Sequence, residues 1–211
     1  LYKSERAKEE QLSRALKLLK WTYKQTVAAL AEAIDARDPY TFGHSQRVAR
    51  VARKLAEALG LDDPFLELVE VAALLHDVGK IGVEDAILKK PGRLSREEFE
   101  KVKVHPLLSA RIVSQVEALY PHVPIVKHHH ERFDGGGYPD GLAGRQIPLG
   151  ARIVAVADTW DAITSDRAYR RAMEFERALR EMKRASGSQH DPEVVEALLW
   201  LAERTPEVLK A

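Results

Sequence analysis

The sequence predicts an all-α domain, and two kinds of observation favour that fold class. Helix starts are marked by an acidic or hydroxyl residue followed by proline, at Asp63-Pro64, Asp191-Pro192 and Thr205-Pro206. Strand signals are almost absent, because even the apolar run from Ile153 to Ala157 continues at helical spacing. We therefore expect a helical bundle with an extended N-terminal helix.

The composition supports one globular domain and excludes several classes of function. The chain has 211 residues, of which 45% are hydrophobic, so it can bury a sizeable core. Its 33 basic and 32 acidic residues leave no basic excess for binding a DNA or RNA polymer or an acidic membrane surface. Because cysteine is absent, any metal site must use nitrogen and oxygen ligands.

The N-terminal segment carries a heptad pattern that is typical of a coiled coil or helical hairpin. We divide the chain into a stalk or linker, residues 1–25, and a domain, residues 26–211. The charged opening favours a stalk that dimerises or carries a signal, whereas Leu30 and Ala33 are expected to pack on their own domain. The residues of the pattern are Leu12, Leu16, Leu19, Tyr23, Thr26, Leu30 and Ala33.

The chain begins with Leu1, so we expect a fragment of a longer protein with a sensor or receiver domain upstream. No apolar run is long enough to cross a bilayer, and no secretory signal is visible. We expect a cytoplasmic location without membrane contact by this segment, although the full-length protein could be anchored upstream.

The segment around His76-Asp77 is the first candidate site. An apolar helix ends there in an imidazole and a carboxylate, and the ammonium of Lys80 follows three residues later. Charged groups are rarely buried unless they are paired or bind a metal. A pair of this kind suits a site with two metal ions, in which the carboxylate bridges both. The alternative is a surface pair at the end of a helix.

A second candidate site combines histidines with a glycine-rich loop. His128, His129 and His130 precede the loop from Phe133 to Pro148, which contains five glycines and two prolines. A long loop inside a compact domain is more often functional than idle. Tyr138, which is restricted by the following proline, suits stacking on a purine base. The alternative is an ordinary surface turn.

These segments together resemble the HD-GYP domains, a branch of the HD hydrolases that cleaves the bacterial messenger cyclic di-GMP. The resemblance runs from about Thr26 to Leu199. It comprises Asp38-Pro39-Tyr40-Thr41-x-Gly43-His44-Ser45, His76-Asp77 with Gly79-Lys80, His105-Pro106, His129-His130-Glu131, Asp134-Gly135-x-Gly137-Tyr138-Pro139, Arg152-Ile153-x-Ala155-Val156-Ala157-Asp158-x-x-Asp161-Ala162 and Thr164-Ser165-x-Arg167-x-Tyr169-Arg170.

The resemblance implies two divalent metal ions, and it points to iron or manganese, with zinc less favoured. Asp77 would bridge the ions, and Asp161 would orient a ligand from the same helical face as Asp158. The implied ligands are His44, His76, Asp77, His105, His129, His130 and Asp158. Some family members carry a glutamate that recruits a third metal, but Tyr40 occupies that position here.

The implied reaction is hydrolysis of cyclic di-GMP to linear pGpG by a hydroxide that bridges the two ions, with further cleavage to GMP left open. Asp77 and Lys80 would be catalytic, Lys80 by neutralising a phosphate oxygen. Tyr138, Arg167 and Arg170 would contact the nucleotide. Two alternatives remain: a catalytically silent module that binds cyclic di-GMP or a protein, and a hydrolase of another phosphoester.

Other prominent residues are assigned structural positions. His190, at a position where the family usually has an aromatic residue, is expected to pack or cap rather than bind metal. We expect His122 at the surface and His128 outside the ligand set. The three tryptophans, Trp21, Trp160 and Trp200, are expected in the core.

Overall fold

The computed structural model describes residues 2–37, 43–166 and 171–210, and within them the fold is a helical bundle without a β-strand. This confirms the predicted all-α class. The helices are α1 (Tyr2–Asp35), α2 (His44–Ala58), α3 (Asp63–Leu75), α4 (Asp85–Leu88), α5 (Arg96–Val102), α6 (His105–Val113), α7 (Val123–His128), α8 (Leu149–Thr164), α9 (Phe175–Ala185) and α10 (Pro192–Arg204). Short 3-10 helices span Val78–Gly82, Glu117–His122, Gly144–Gln146 and Pro206–Leu209.

Helices α2, α3 and α8 pack together at the centre of the bundle. Their contact surfaces are aliphatic and buried, as at Leu55 of α2, Val69 of α3 and Val154 of α8. Full burial of such a side chain stabilises the fold by about 1.5–3 kcal/mol. The apolar packing therefore fixes the positions of α2, α3 and α8 relative to one another. Candidate site residues lie on these helices or directly next to their ends.

The N-terminal segment is one continuous helix, α1, rather than a hairpin. Only its C-terminal part packs on the domain, through buried Val27 and Ala31. Leu30 is 59% exposed and Ala33 is also exposed, so the expectation that these two pack on the domain is wrong. Val27 and Ala31 each follow a residue of the heptad pattern by one position, which rotates them by about 100° around the helix axis. The face of α1 that packs on the domain therefore lies beside the heptad face.

The helix starts follow the predicted chemistry with one shift in register. Helix α3 is capped by Asp62, whose side chain accepts a hydrogen bond from the Phe65 amide, so Asp63 is already helical and is not the cap. Asp191 caps α10 as predicted, and Ser95 and Glu98 form a capping box at the start of α5. Thr205 precedes only a 3-10 helix and makes no side-chain cap there.

The assignments of the large aromatic residues and of His122 are partly wrong. Trp160 is buried and donates a hydrogen bond from its indole nitrogen to the Leu209 carbonyl, as expected for a core residue. Trp21 is 62% exposed on the free part of α1, and Trp200 is 46% exposed. His122 is buried, not at the surface, because the 3-10 helix that carries it packs against α3 and α7. None of the described helices is long and apolar enough to span a membrane.

Candidate metal centre

Asp77 lies at the centre of the candidate site, directly after the end of α3. Its Oδ2 atom is 3.3 Å from His76 Nε2 and 3.9 Å from His44 Nε2. Its Oδ1 atom is 3.1 Å from His105 Nε2 and 3.9 Å from His129 Nε2. The two carboxylate oxygens therefore face two different sets of imidazoles. The two sets of side chains close enough to hold an ion share Asp77 and consist of His44 with His76, and of His105 with His129 and His130.

Three of these histidines are oriented by the same kind of local hydrogen bond. In each, Nδ1 lies 2.6–2.7 Å from the backbone carbonyl three residues earlier: Ala73 for His76, Val102 for His105 and Val126 for His129. Because a carbonyl only accepts hydrogen bonds, Nδ1 carries a proton, and in the neutral ring Nε2 then carries the lone pair that can bind a metal. All three Nε2 atoms are buried and have no hydrogen-bond partner among the described residues.

Buried polar atoms without a partner are costly unless they bind a ligand. A histidine that binds a metal usually donates its other ring N–H to a carbonyl or carboxylate. The unpaired Nε2 atoms, directed at one carboxylate, therefore fit divalent metal ions of the kind implied by the sequence.

His44 is oriented by a carboxylate instead of a carbonyl. Its Nδ1 lies 2.7 Å from Asp161 Oδ2, and its Nε2 lies 3.3 Å from Asp158 Oδ1. Asp161 also accepts a 2.6 Å hydrogen bond from Arg47 Nε of the same α2 helix. Burial disfavours a charged imidazole, but hydrogen bonds to Asp158 and Asp161 outweigh it and raise the pKa of His44 to about 9.

Electrostatics keep two carboxylates ionised and two imidazoles neutral at neutral pH. Burial and neighbouring imidazoles hold the pKa of His129 well below its usual value and lower that of His130 to about 3. Burial would raise the pKa of Asp77 and of Asp158, but the surrounding imidazoles, with Lys80 beside Asp77, hold both well below the ordinary range. The site therefore combines two ionised carboxylates with neutral imidazoles at His129 and His130. Despite burial, the carboxylates raise the pKa of His44 and of His76, so a metal ion bound there would displace a proton.

Lys80 lies on the 3-10 helix that follows Asp77, with its Nζ 2.5 Å from Asp77 Oδ2. The turn before it needs a glycine, because a Cβ atom on Gly79 would lie 2.1 Å from the His105 carbonyl oxygen. The Gly79 amide also donates a 2.7 Å hydrogen bond to Ser109 Oγ on α6. This close packing sets the distance between Lys80 and the candidate ligand His105 at the start of α6.

Two residues at the end of α1 contact the site from outside, and the sequence reasoning missed both. Arg37 donates hydrogen bonds to the carbonyls of Lys80 and Ile81, at 3.2 and 2.7 Å. The buried Asp35 carboxylate accepts bonds from the amide and hydroxyl of Ser45, the residue after His44. No motif indicated them, because the contacts of Arg37 join residues 43 and 44 positions apart and that of Asp35 joins residues 10 positions apart.

The glycine-rich loop is held by Glu131, whose buried carboxylate accepts hydrogen bonds from the amides of Asp140 and Leu142 at 2.8 and 3.1 Å. Gly137 packs so closely on the backbone of Glu131 and Arg132 that a Cβ atom would clash. A cis peptide bond joins Tyr138 to Pro139. The Tyr138 ring lies 5.0 Å from the His130 ring, so the loop places it beside the candidate ligands.

The remaining sequence predictions divide into three groups. His128 contacts Glu131 and Asp140 and is in neither set of candidate ligands, as expected. His190 is buried and likewise outside both sets, which agrees with a packing role. Tyr40, Arg167 and Arg170 lie outside the described residues.

Comparison with known families settles the classification. A model of the HD domain family matches residues 28–194 of the chain. The chain belongs to the HD domain family. The resemblance to its HD-GYP branch is also confirmed by relatives of similar sequence.

The relatives of known name are phosphodiesterases of cyclic dinucleotides. A cyclic di-GMP phosphodiesterase response regulator of Xanthomonas campestris is 41% identical over 193 residues, which are 90% of this chain and 51% of that protein. A cyclic di-GMP phosphodiesterase of Thermotoga maritima is 44% identical over 82% of this chain and 48% of its own length. A 3′3′-cGAMP-specific phosphodiesterase of Vibrio cholerae is 40% identical over 82% of this chain and 37% of its own length. The chain thus spans about half of these proteins or less.

Solved structures agree on the fold. The cyclic GMP-AMP specific phosphodiesterase V-cGAP3 of Vibrio cholerae superposes with a TM-score of 0.68 at 20% identity, over 88% of this chain and 50% of that one. An HDG"Y"P protein of Bdellovibrio bacteriovorus gives a TM-score of 0.60 at 23% identity, over 76% and 51% of the two chains. At these identities the likeness concerns the fold alone.

Proposed function

We propose that this chain is a metal-dependent phosphodiesterase that hydrolyses cyclic di-GMP to linear pGpG. The observation that carries the proposal is the geometry at Asp77, whose two oxygens each face a separate set of imidazole Nε2 atoms. The relatives named as cyclic di-GMP phosphodiesterases support the choice of substrate.

In this proposal Asp77 would contribute a ligand to each of two ions. His44, His76 and Asp158 would hold one ion, and His105, His129 and His130 the other. Asp161 would orient His44 through the hydrogen bond to its Nδ1. Because these ligands are nitrogen and oxygen without sulfur, iron or manganese is favoured and zinc is less so.

When bound, two divalent ions would supply an activated water and neutralise charge on the phosphate. Hydrolysis forms a bond from the water oxygen to phosphorus and breaks the bond to the 3′ oxygen, which opens the ring to pGpG. Lys80, with its ammonium at Asp77, would donate to a phosphate oxygen that carries charge in the transition state. Tyr138, Arg167 and Arg170 would hold the nucleotide. Further cleavage of pGpG to GMP remains an open part of the proposal.

A related substrate, 3′3′-cGAMP, is the second candidate, because three relatives, at 40%, 37% and 36% identity, are named as specific for it. It has the same phosphodiester ring, so the candidate metal centre would act on it in the same way. A catalytically silent binding module is the alternative from another class. It is disfavoured because seven metal-binding side chains would have no chemical role in it.

The test is turnover by protein loaded with Mn²⁺ or Fe²⁺ under reducing conditions, with cyclic di-GMP and 3′3′-cGAMP compared at equal concentration. We expect pGpG, and a higher kcat/KM for cyclic di-GMP. Asp77→Ala should abolish turnover and lower metal content while the helical fold persists. Asp63→Ala, an exposed change at the start of α3, is the control and should retain both. Retained activity in Asp77→Ala would refute the metal mechanism, and binding without turnover by the unmodified chain would favour the silent module.

We further propose that α1 pairs with α1 of a second copy and receives its signal from an upstream sensor or receiver domain. Every described side chain between residues 5 and 22 is exposed, and a helical segment that buries none of its side chains is only marginally stable in water. Leu12, Leu16 and Leu19 are 63%, 50% and 67% exposed, although they are apolar. The same pattern on a second copy offers a complementary surface over about three heptads.

Sedimentation equilibrium tests this pairing. The unmodified chain should be a dimer, and Leu16→Glu should convert it to a monomer. Leu18→Glu is the matched control, because Leu18 is 63% exposed but lies off the heptad pattern. A monomeric unmodified chain would contradict the pairing, and so would a dimer that persists in Leu16→Glu.

A further inference from the structure

Phe99 is an exposed aromatic residue that belongs to none of the sequence motifs. It lies on α5, a helix without buried residues, and is itself 43% exposed. Its ring centroid is 6.3 Å from that of Tyr138, with the two planes at 85°. The ring therefore stands beside the Tyr138 loop with much of its surface open to solvent.

Tyr138 connects Phe99 to the candidate metal centre. The Tyr138 ring is 5.0 Å from the His130 ring, which is in turn 5.0 Å from the His105 ring. These contacts form a row of rings that begins among the candidate metal ligands and ends at the exposed face of Phe99. A nucleotide whose phosphate lies at the metal centre would extend its base along this row.

A cation accompanies the outer rings. Lys103 Nζ lies 5.2 Å from the centroid of Phe99 and 5.7 Å from that of Tyr138, distances typical of cation–π contacts. Its charge is also paired with Glu100 at 2.7 Å. The combination of aromatic faces with a positively charged group suits a nucleotide base, because bases stack on aromatic rings.

We infer that Phe99 and Lys103 form an outer subsite that binds one guanine base of the substrate, which stacks on Phe99. The inference rests on the proposed function and deepens it. Guanine presents two acceptors, O6 and N7, on one edge, whereas adenine replaces O6 with an N6 amino donor. Lys103 donates hydrogen bonds and cannot accept them, so it favours guanine over adenine at this subsite.

The test compares steady-state kinetics and calorimetric binding of cyclic di-GMP for the metal-loaded chain and its variants. Phe99→Ala should raise KM and Kd about tenfold, within the range for loss of one stacked base. Its kcat and metal content should stay unchanged, because the interaction is the same in the ground and transition states. Phe99→Tyr should restore binding. Tyr120→Ala, which removes another exposed ring, is the control and should have no effect.

The role of Lys103 is tested by preference between bases. Lys103→Ala should reduce the affinity ratio of cyclic di-GMP over cyclic di-AMP about tenfold, the scale of one good base-edge contact. An unchanged Kd in Phe99→Ala, or an unchanged ratio in Lys103→Ala, would overturn the subsite. Failure of the proposed function gives a different result, in which cyclic di-GMP binds and depends on Phe99 but is not hydrolysed. If the unmodified chain binds no cyclic di-GMP, both proposals are wrong.

Discussion

Asp161 controls the orientation of His44, and replacing it with asparagine isolates that role. The carboxylate accepts hydrogen bonds from His44 Nδ1 at 2.7 Å and from Arg47 Nε at 2.6 Å. The asparagine would keep the size of the side chain but would have one acceptor oxygen in place of two. We therefore expect the His44 ring to lose either its charged partner or its fixed orientation, while Nε2 stays near Asp158.

The expected magnitude follows from the effect of such outer partners on metal ligands. Their loss typically lowers metal affinity 10–100-fold, which corresponds to about 1.4–2.7 kcal/mol. In Asp161→Asn, competitive titration with a metal chelator should show this decrease for the ion that His44 would bind. Turnover should recover when the metal concentration is raised, because Asp161 does not contact the substrate in this account.

The control is Asp62→Asn, since asparagine caps a helix as well as aspartate does and Asp62 is exposed, far along the chain from the ligands. It should match the unmodified chain in both metal affinity and turnover. Metal affinity within twofold of the unmodified value in Asp161→Asn would refute the reasoning. Turnover that excess metal does not restore would show that Asp161 acts on the reaction by another route.

Two further predictions concern packing and pH. Gly79→Ala should destabilise the fold by about 3 kcal/mol and lower the metal content, because the new methyl group overlaps the His105 carbonyl. Denaturant titration measures the first effect and metal analysis the second. Unchanged stability would contradict the close packing at Gly79. Burial lowers the pKa of His190 to about 4, so folding favours its neutral form, and stability should fall as pH decreases from about 6.5 towards 4, by up to about 3 kcal/mol. His190→Phe should remove that part of the loss when unfolding is compared at pH 7 and pH 4, and equal losses in both proteins would contradict the assignment.

The fold class was predictable because helices carry their own signals in the sequence. The caps followed by proline identified the starts of α3 and α10 without knowledge of tertiary contacts. The predicted N-cap of α3 was displaced by one residue, from Asp62 to Asp63. Both are acidic residues shortly before a proline, and a sequence pattern does not locate the end of a helix more accurately than this. A heptad pattern likewise does not reveal which face of a helix meets its own domain, and so the placement of Leu30 and Ala33 was wrong.

The histidines and carboxylates of the candidate site were predictable as a set, but their geometry was not. The motifs and the resemblance indicated that Asp77 would bridge two ions, but not which imidazoles face which of its two oxygens. The contacts from Arg37 to the turn carrying Lys80 depend on how α1 lies against the domain. His122 was misplaced for a similar reason, since the neighbouring prolines suggested a surface turn while tertiary packing buries the ring.

The central claim is that Asp77 bridges two metal ions in a site that hydrolyses cyclic di-GMP. The most direct measurement is the metal content of protein prepared anaerobically, taken on the same sample as its turnover of cyclic di-GMP. We predict two ions of iron or manganese per chain together with formation of pGpG. One ion or three ions per chain in a fully active sample would contradict the two-ion site, and two ions without hydrolysis would contradict the proposed reaction.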